Sequence, residues 1–474
     1  MRKIFIIALL VCSVIGAADF HPDEIASSWM GAIETGGIQL RMVVNFERDA
    51  AGNLTATFDS PDQGANGIVF DEVAFHGDTL ILKNNPMRAF YTGLLAENRD
   101  SITGQWHQSG MSLSLNLKPQ ETAIETGRPQ DPQPPFPYLS EDVTFKNKEA
   151  SITLAGTLTL PDSDGSHPAV VLISGSGSQN RNEEIFNHRP FLVLADFLTQ
   201  EGIAVLRYDD RGIGGSGGDP MTATSEDYAT DTYAAVQYLK TRPEINGGQI
   251  GLIGHSEGGI IGPMVAADHP DDVAFVIMMA GTGLTGEKII LEQIALLSKA
   301  QNVPAVQLSQ NLDASRKIFK LLRQETDEEK LEHKVREIIQ KNIANLSPDE
   351  KGQIADTLVY VDNQIRQVTL PWTKYFLSYD PVGTLKKVKC PVLAVFGSLD
   401  LQVSALSNQP AIEKALKEGG NKDYSFHVFE GLNHLFQTAD TGMPTEYGAI
   451  DETIAPDVML YLADWILARA DVKR

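Results

Sequence analysis

Cysteine is scarce in this chain: Cys12 and Cys390 are the only two. If Cys12 leaves with a leader, Cys390 stands alone, which excludes an internal disulfide and a cysteine-based metal site. Cys390 precedes the apolar run Pro391–Phe396 and reads as buried filler. Positive charge is also short: 39 Lys and Arg stand against 62 Asp and Glu, a net charge of −23. Nucleic acid requires a basic face that displaces counterions, so no nucleic-acid partner is expected. An acidic surface likewise disfavours anionic membranes. No long apolar run follows the first residues, so no stable membrane insertion is expected. Spacings such as H-E-x-x-H are missing, so no metal and no other cofactor is expected.

What is present begins with a processing signal. Met1-Arg2-Lys3 is a short basic stretch, Ile4–Val11 is apolar, and Gly16-Ala17-Ala18 supplies small residues for cleavage. Residues 1–18 therefore read as a signal peptide, and the mature protein as secreted or periplasmic. Val11 is too bulky for the position before a lipidated Cys12, which argues against a lipoprotein.

The rest of the chain divides by pattern. Residues 19–125 alternate over Ile38–Phe46, Leu54–Phe58, Thr79–Lys83, Ala89–Leu95 and Met111–Leu117, separated by turn residues. A small all-β barrel or sandwich is expected there, with Trp106 in its core. Residues 126–138 form a linker, because Arg128–Tyr138 holds five prolines in eleven residues. Residues 139–474 then alternate strands with helices, including the uninterrupted apolar segment Ala169–Ile173, as in a doubly wound, mostly parallel α/β sheet. Over 283–380 the alternation gives way to helices alone, among them Ile289–Ala300, Ala314–Gln324, Glu328–Ile343 and Ala355–Gln367. Their charge pairing marks a solvated face, and the segment reads as a cap inserted into the sheet domain.

Chemistry concentrates at Gly254-His255-Ser256-Glu257-Gly258, a G-x-S-x-G pattern with an apolar strand before it and a helix-forming segment after it. Such a sharp turn strains the serine backbone and projects Oγ beyond the sheet, above a helix N-terminus that favours negative charge. Neutral serine is a weak nucleophile and needs a base that is itself oriented. Asp400, closing PVLAVFGSLD, and His434, in FEGLNHLF, follow strands whose loops leave the same edge as Ser256. His255 cannot serve as the base from its backbone position, and His427 falls within a strand. The oxyanion donors expected are the backbone N–H groups of Glu257 and Ser176, with Gly177 as the alternate in the small-residue loop Ser174–Gln179. Gly212–Gly217 satisfies G-x-G-x-x-G, but polar residues and Pro220 delay the next helix, so dinucleotide binding is not expected. Arg207–Gly212, RYDDRG, reads instead as a knot of arginine–carboxylate pairs.

From about residue 140 onward the chain resembles the α/β-hydrolase superfamily, and within it exported bacterial serine carboxylesterases that carry an N-terminal β domain. The resemblance rests on the Ser174–Gln179 loop with Arg181, the RYDDRG turn, Ser256 in its elbow, Asp400 in GSLD and His434 in GLNH. Ser178 stands where many relatives have proline. The resemblance implies cofactor-free cleavage of small-molecule acyl esters through a covalent acyl-enzyme. Trp372, Tyr375, Phe376 and Leu377, at the end of the cap, are candidate walls of the substrate site, with Gly177 a further contact. A prolyl-oligopeptidase-type peptidase shares the triad order, but about 110 residues of short strands cannot build that family's propeller. The alternative from another class is a ligand-binding protein that keeps the fold without the chemistry.

Overall fold

The computed structural model describes residue 25 and residues 28–35, 38–63, 65–120, 127–161 and 165–470. The expected leader, 1–18, lies outside them. The described chain forms two compact units, one of strands up to Pro119 and one running from residue 127 onward.

The first unit is a meander of β1 (Ser28–Thr35), β2 (Ile38–Arg48), β3 (Leu54–Ser60), β4 (Ala65–Val69), β5 (Glu72–His76), β6 (Thr79–Asn84), β7 (Ala89–Leu95), β8 (Ile102–Gln108) and β9 (Met111–Pro119). Its sheet order is β4-β3-β2-β1-β9-β8-β7-β6-β5. The outermost strands, β4 and β5, are joined by Phe70-Asp71, whose amides reach β3 at Ala56 O and β6 at Lys83 O. The sheet thus curls back on itself, as a barrel must to cover its edges. Every second residue of β7, Ala89, Tyr91, Gly93 and Leu95, is buried. Trp106 is core, edge-on to Phe58 with ring centroids 5.4 Å apart. β1, β4, β5 and β8 were not evident as strands. β8, ITGQWHQ, has weak intrinsic preference and forms because β7 and β9 pair along its whole length.

The second unit holds β10 (Tyr138–Asn147), β11 (Ile152–Pro161), β12 (His167–Ile173), β13 (Ala204–Tyr208), β14 (Ile245–His255), β15 (Phe275–Met279), β16 (Val392–Gly397) and β17 (Tyr424–Phe429). They form one sheet in the order β10-β11-β13-β12-β14-β15-β16-β17. The β10–β11 hairpin and the β11–β13 pair are antiparallel, and the remaining pairs are parallel. Crossovers are made by α1 (Pro190–Gln200), α2 (Ser225–Leu239) and α3 (Gly258–Asp268). Between β15 and β16 come the cap helices α4 (Gly286–Ala300), α5 (Ala305–Gln324), α6 (Glu328–Ile343), α7 (Pro348–Gly352), α8 (Thr357–Thr369) and α9 (Pro371–Ser378), then α10 (Pro381–Leu385). α11 (Ala405–Glu418) and α12 (Pro456–Leu467) complete the unit. This is the α/β-hydrolase architecture implied by the motif order. Strands β13, β15 and β16 are buried at every residue because helices cover both faces.

The proline-rich segment expected as a linker is seated on this second unit. Proline removes backbone donors, and side chains supply them: Arg128 donates to the carbonyls of Phe186, Gly448 and Ile450, and Gln130 to that of Ile454. The sheet order also locates the site. β12 has β13 on one side and β14 on the other, so chain progression reverses there and the loops leaving β12 and β14 diverge. A crevice opens at such a switch point, at the carboxyl ends of the strands.

Candidate active site

Ser256 sits in the turn between β14 and α3 with φ of 53°, in the left-handed region that non-glycine residues avoid at a cost of roughly 1–3 kcal/mol. Two features hold it there. Its amide donates to Met279 O at 2.8 Å, and the chain crosses itself tightly at both flanking glycines. A Cβ on Gly254 would overlap the Gly258 carbonyl, and one on Gly258 would overlap the carbonyl of Ile173. Glu257, the N-cap of α3, presents its amide at a helix end whose first N–H groups lack intrahelical partners.

His434 and Asp400 meet as their positions in the sequence suggest. Nδ1 of His434 lies 2.8 Å from Asp400 Oδ2, and both residues are buried. The other oxygen, Oδ1, accepts from the amides of Gln402 and Val403 at 2.7 and 2.8 Å. Asp400 is therefore fixed by its own loop before it meets the imidazole. The histidine loop is pinned by Asn433, which accepts from the amides of Leu435 and Gln437 and donates to the Gln437 side chain.

The loop after β12 is held by carboxylates. Asp210 accepts from Ser174 Oγ at 2.9 Å and from the Gln179 amide at 2.8 Å, so it ties both ends of the loop. Burial pushes the Asp210 carboxyl up to about 8, against these two hydrogen bonds, with Glu257 and Glu183 adding repulsion. Asp209 accepts from the Arg181 amide and guanidinium and from Gly215, and Arg211 pairs with Asp231 at 2.7 Å. RYDDRG is thus a structural knot, as expected. The neighbouring glycine turn spends its amides on protein acceptors, Gly217 on Thr153 O and Gly215 on Asp209, and offers no phosphate cradle.

Ser256, Glu257 and Ser176 open together onto a narrow pocket of about 60 Å³. Thr282, Ile289, Ile290, Gln293, Trp372, Phe376, Gln402 and Val403 complete its walls. Trp372 and Phe376, one turn apart on α9, stack at 5.0 Å and face the pocket. Tyr375 and Leu377 point elsewhere on the same helix: Tyr375 stacks on Tyr379 in a separate groove, and Leu377 is buried. Gly177 is not among the described residues that line the pocket. The Glu257 side chain is buried and accepts from Ser225 Oγ and Trp372 Nε1, the latter at 2.8 Å. Burial raises its pKa, and those two bonds soften the rise.

Several residues here carry no sequence signal. Glu183, Gln293, Thr282 and Gln402 reach the site only through the fold. A polar side chain just after a strand end, two positions after Asp400, is the one trace that could have flagged Gln402.

A family model described as serine aminopeptidase, S33, matches residues 188–344. Esterase EstD of Thermotoga maritima is 28% identical over 334 residues, covering 69% of this chain and 70% of that protein. Among solved structures, the Pyrococcus furiosus esterase Pf2001 covers 70% of this chain and 90% of its own, at 16% identity and a TM-score of 0.41. The proline iminopeptidase of Mycobacterium smegmatis covers 69% and 98%, at 14% identity and a TM-score of 0.41.

Proposed function

We propose that this chain, an α/β-hydrolase of the carboxylesterase type with an N-terminal β domain, cleaves small-molecule carboxylic esters through Ser256, His434 and Asp400. The observation that carries this reading is the strained serine opening onto one pocket with Ser176 and Glu257, whose wall also includes Gln402 and Val403, the residues that hold Asp400 as it pairs with buried His434. Ser256 Oγ attacks the acyl carbon while His434 Nε2 takes its proton, and Asp400 holds the Nδ1–H tautomer and stabilises the imidazolium. The amides of Glu257 and Ser176 receive the oxyanion. His434 returns the proton to the leaving alcohol, and water reverses the sequence to free the acid. The pocket is small, about 60 Å³, and Ile289, Ile290, Trp372, Phe376 and Val403 are among its walls, which suits a short apolar acyl chain.

The serine aminopeptidase match favours a second reading, cleavage of an aminoacyl bond. An aminopeptidase needs a free carboxylate for the substrate ammonium. Among the described residues that line this pocket the one acid, Glu257, already accepts from Ser225 and Trp372 and is pushed towards neutrality by burial. Ester cleavage is therefore preferred. Hydrolysis of chromogenic esters of increasing chain length, beside aminoacyl anilides, tests both readings. Short esters are expected to turn over fastest, and Ser256→Ala to abolish turnover. Faster anilide than ester cleavage would favour the peptidase, and unchanged turnover in Ser256→Ala would refute the triad. Export is proposed on the leader pattern of residues 1–18. N-terminal sequencing of protein recovered outside the cytoplasm should begin near residue 18 or 19.

A further inference from the structure

His255 is buried beside the proposed nucleophile and lies outside the proton path of the reaction, yet it bonds two loops of the site. Its Nδ1 lies 2.9 Å from Glu183 Oε1, and its Nε2 lies 3.0 Å from the backbone carbonyl of His434. Glu183 Oε1 also accepts the amide of Gly175 at 2.6 Å, in the loop that carries Ser176. Both ring nitrogens of His255 thus face acceptors. A neutral imidazole has one N–H and could satisfy only one of them.

His188 shows the contrast. It too is buried, and Gln437 Nε2 lies 3.0 Å from its Nε2; its Nδ1 meets Thr453 Oγ1, a group able to donate, while Nε2 meets the carbonyl of Tyr447. Neutral imidazole satisfies that pair, and burial lowers His188 to about 4. At His255 burial is the largest influence and opposes charge, but the Glu183 carboxylate, the His434 carbonyl and Asp400 together outweigh it and hold the ring above the usual histidine value of 6.5. With Glu183 ionised, both ring nitrogens must carry protons to meet their two acceptors.

Resting on the esterase reading, we infer that His255 is a positioning residue that acts as a buried imidazolium. Paired with Glu183, it clamps the oxyanion loop to the carbonyl of His434 and so sets the base against Ser256. The groups facing it are Glu183 from the loop before α1, His434 from the histidine loop with ring centroids 4.9 Å apart, and Asp400 behind His434. Asp210 acts at one remove, through its repulsion with Glu183. Deprotonation leaves one acceptor without its donor and loosens one side of the clamp. The resulting misalignment affects turnover more than substrate affinity.

The test combines spectroscopy with kinetics on the full chain. With nitrogen-15 histidine, the wild-type His255 ring should show two protonated nitrogens at neutral pH. Its signals are assigned by their loss in His255→Gln or, if that variant does not fold, by magnetisation transfer from the Gly175 amide. Wild-type kcat should fall on the alkaline side as His255 loses its proton, with KM nearly constant. His255→Gln should lower kcat about ten- to hundredfold, leave KM within about twofold and lack that alkaline limb. Glu183→Gln should shift the limb to lower pH. A ring with one bare nitrogen at neutral pH, or an unchanged alkaline limb in His255→Gln, would overturn the assignment. If the wild type cleaves no ester, the esterase reading fails on that result, and the ring spectrum still decides the charge of His255.

Discussion

At the carboxyl edge of the sheet, Asp209, Asp210, Glu183 and Asp400 are each buried, and each accepts at least two hydrogen bonds from named partners. The cap is held differently. Its charged residues pair near solvent, Lys334 with Glu325 and Arg336 with Glu332 and Asp362, over a small core of Leu331, Val335, Val361 and Ile365. Buried carboxylates that receive several donors fix loops in one geometry, because loss of any partner leaves a desolvated group unpaired. Half-exposed ion pairs are replaced by water at little cost. On this account the edge sets reaction geometry and the cap shapes the acyl site, and substitutions in the two regions should differ in kind as well as size.

The largest effect is expected at Asp400→Asn. The amide can still meet the Gln402 and Val403 amides, but it no longer stabilises an imidazolium and favours the wrong tautomer of His434. Steady-state kinetics should show kcat reduced by about 10⁴ with the fold unchanged by circular dichroism. Asp210 comes next. Asp210→Ala strands the Ser174 hydroxyl and the Gln179 amide, which should cost about 1–3 kcal/mol in denaturant unfolding and lower kcat about tenfold. Asp210→Asn keeps an acceptor for the Gln179 amide and should retain most of both.

The same residue gives a pH signature. Its carboxyl is raised from 3.8 to about 8 by burial, so between those values the folded chain holds a proton that the unfolded chain has released. Stability must then fall as pH rises from about 4 to about 8 and level off above. Melting temperature scanned across that range should decline in the wild type by several degrees more than in Asp210→Asn. Equal slopes would show that Asp210 is ionised in the fold.

Smaller effects belong to the cap. Trp372→Phe keeps the stacked ring on Phe376 but removes the indole N–H from Glu257. The ratio of kcat/KM between short and longer acyl esters should change severalfold, with kcat on the best ester altered less. Arg336→Ala removes two half-exposed pairs and should move the melting temperature by no more than about 1–2 °C, with kinetics unchanged. A cap substitution of this exposed kind that lowered kcat as Asp400→Asn does would erase the distinction.

What was legible in the sequence follows the same division. Ser256, Asp400 and His434 could be placed because each obeys a local rule, a strand end followed by a tight turn, and the sheet brings strand ends to one edge. The run of cap helices was legible from its period, and Glu328–Ile343 matches α6 at both ends. The roles of Trp372 and Phe376 against Tyr375 and Leu377 were not, since all four share one helix and only its rotation on α3 and α4 separates them. Glu183 and His255 were illegible for another reason. Their bond spans 72 positions, and no local pattern encodes a contact that exists only once β12 and β14 lie side by side. The proline-rich segment misled in the opposite sense, because its composition suggests an extended spacer while Arg128 and Gln130 anchor it to the second unit.

The central claim, that Ser256 becomes acylated during turnover, is tested most directly by mass spectrometry of the whole chain quenched in the first turnovers of a nitrophenyl ester. A single acyl group on the peptide bearing Ser256, growing with a burst of nitrophenol, is the predicted result. Turnover with no adduct at Ser256 in the burst, or acylation of a different side chain, would contradict it.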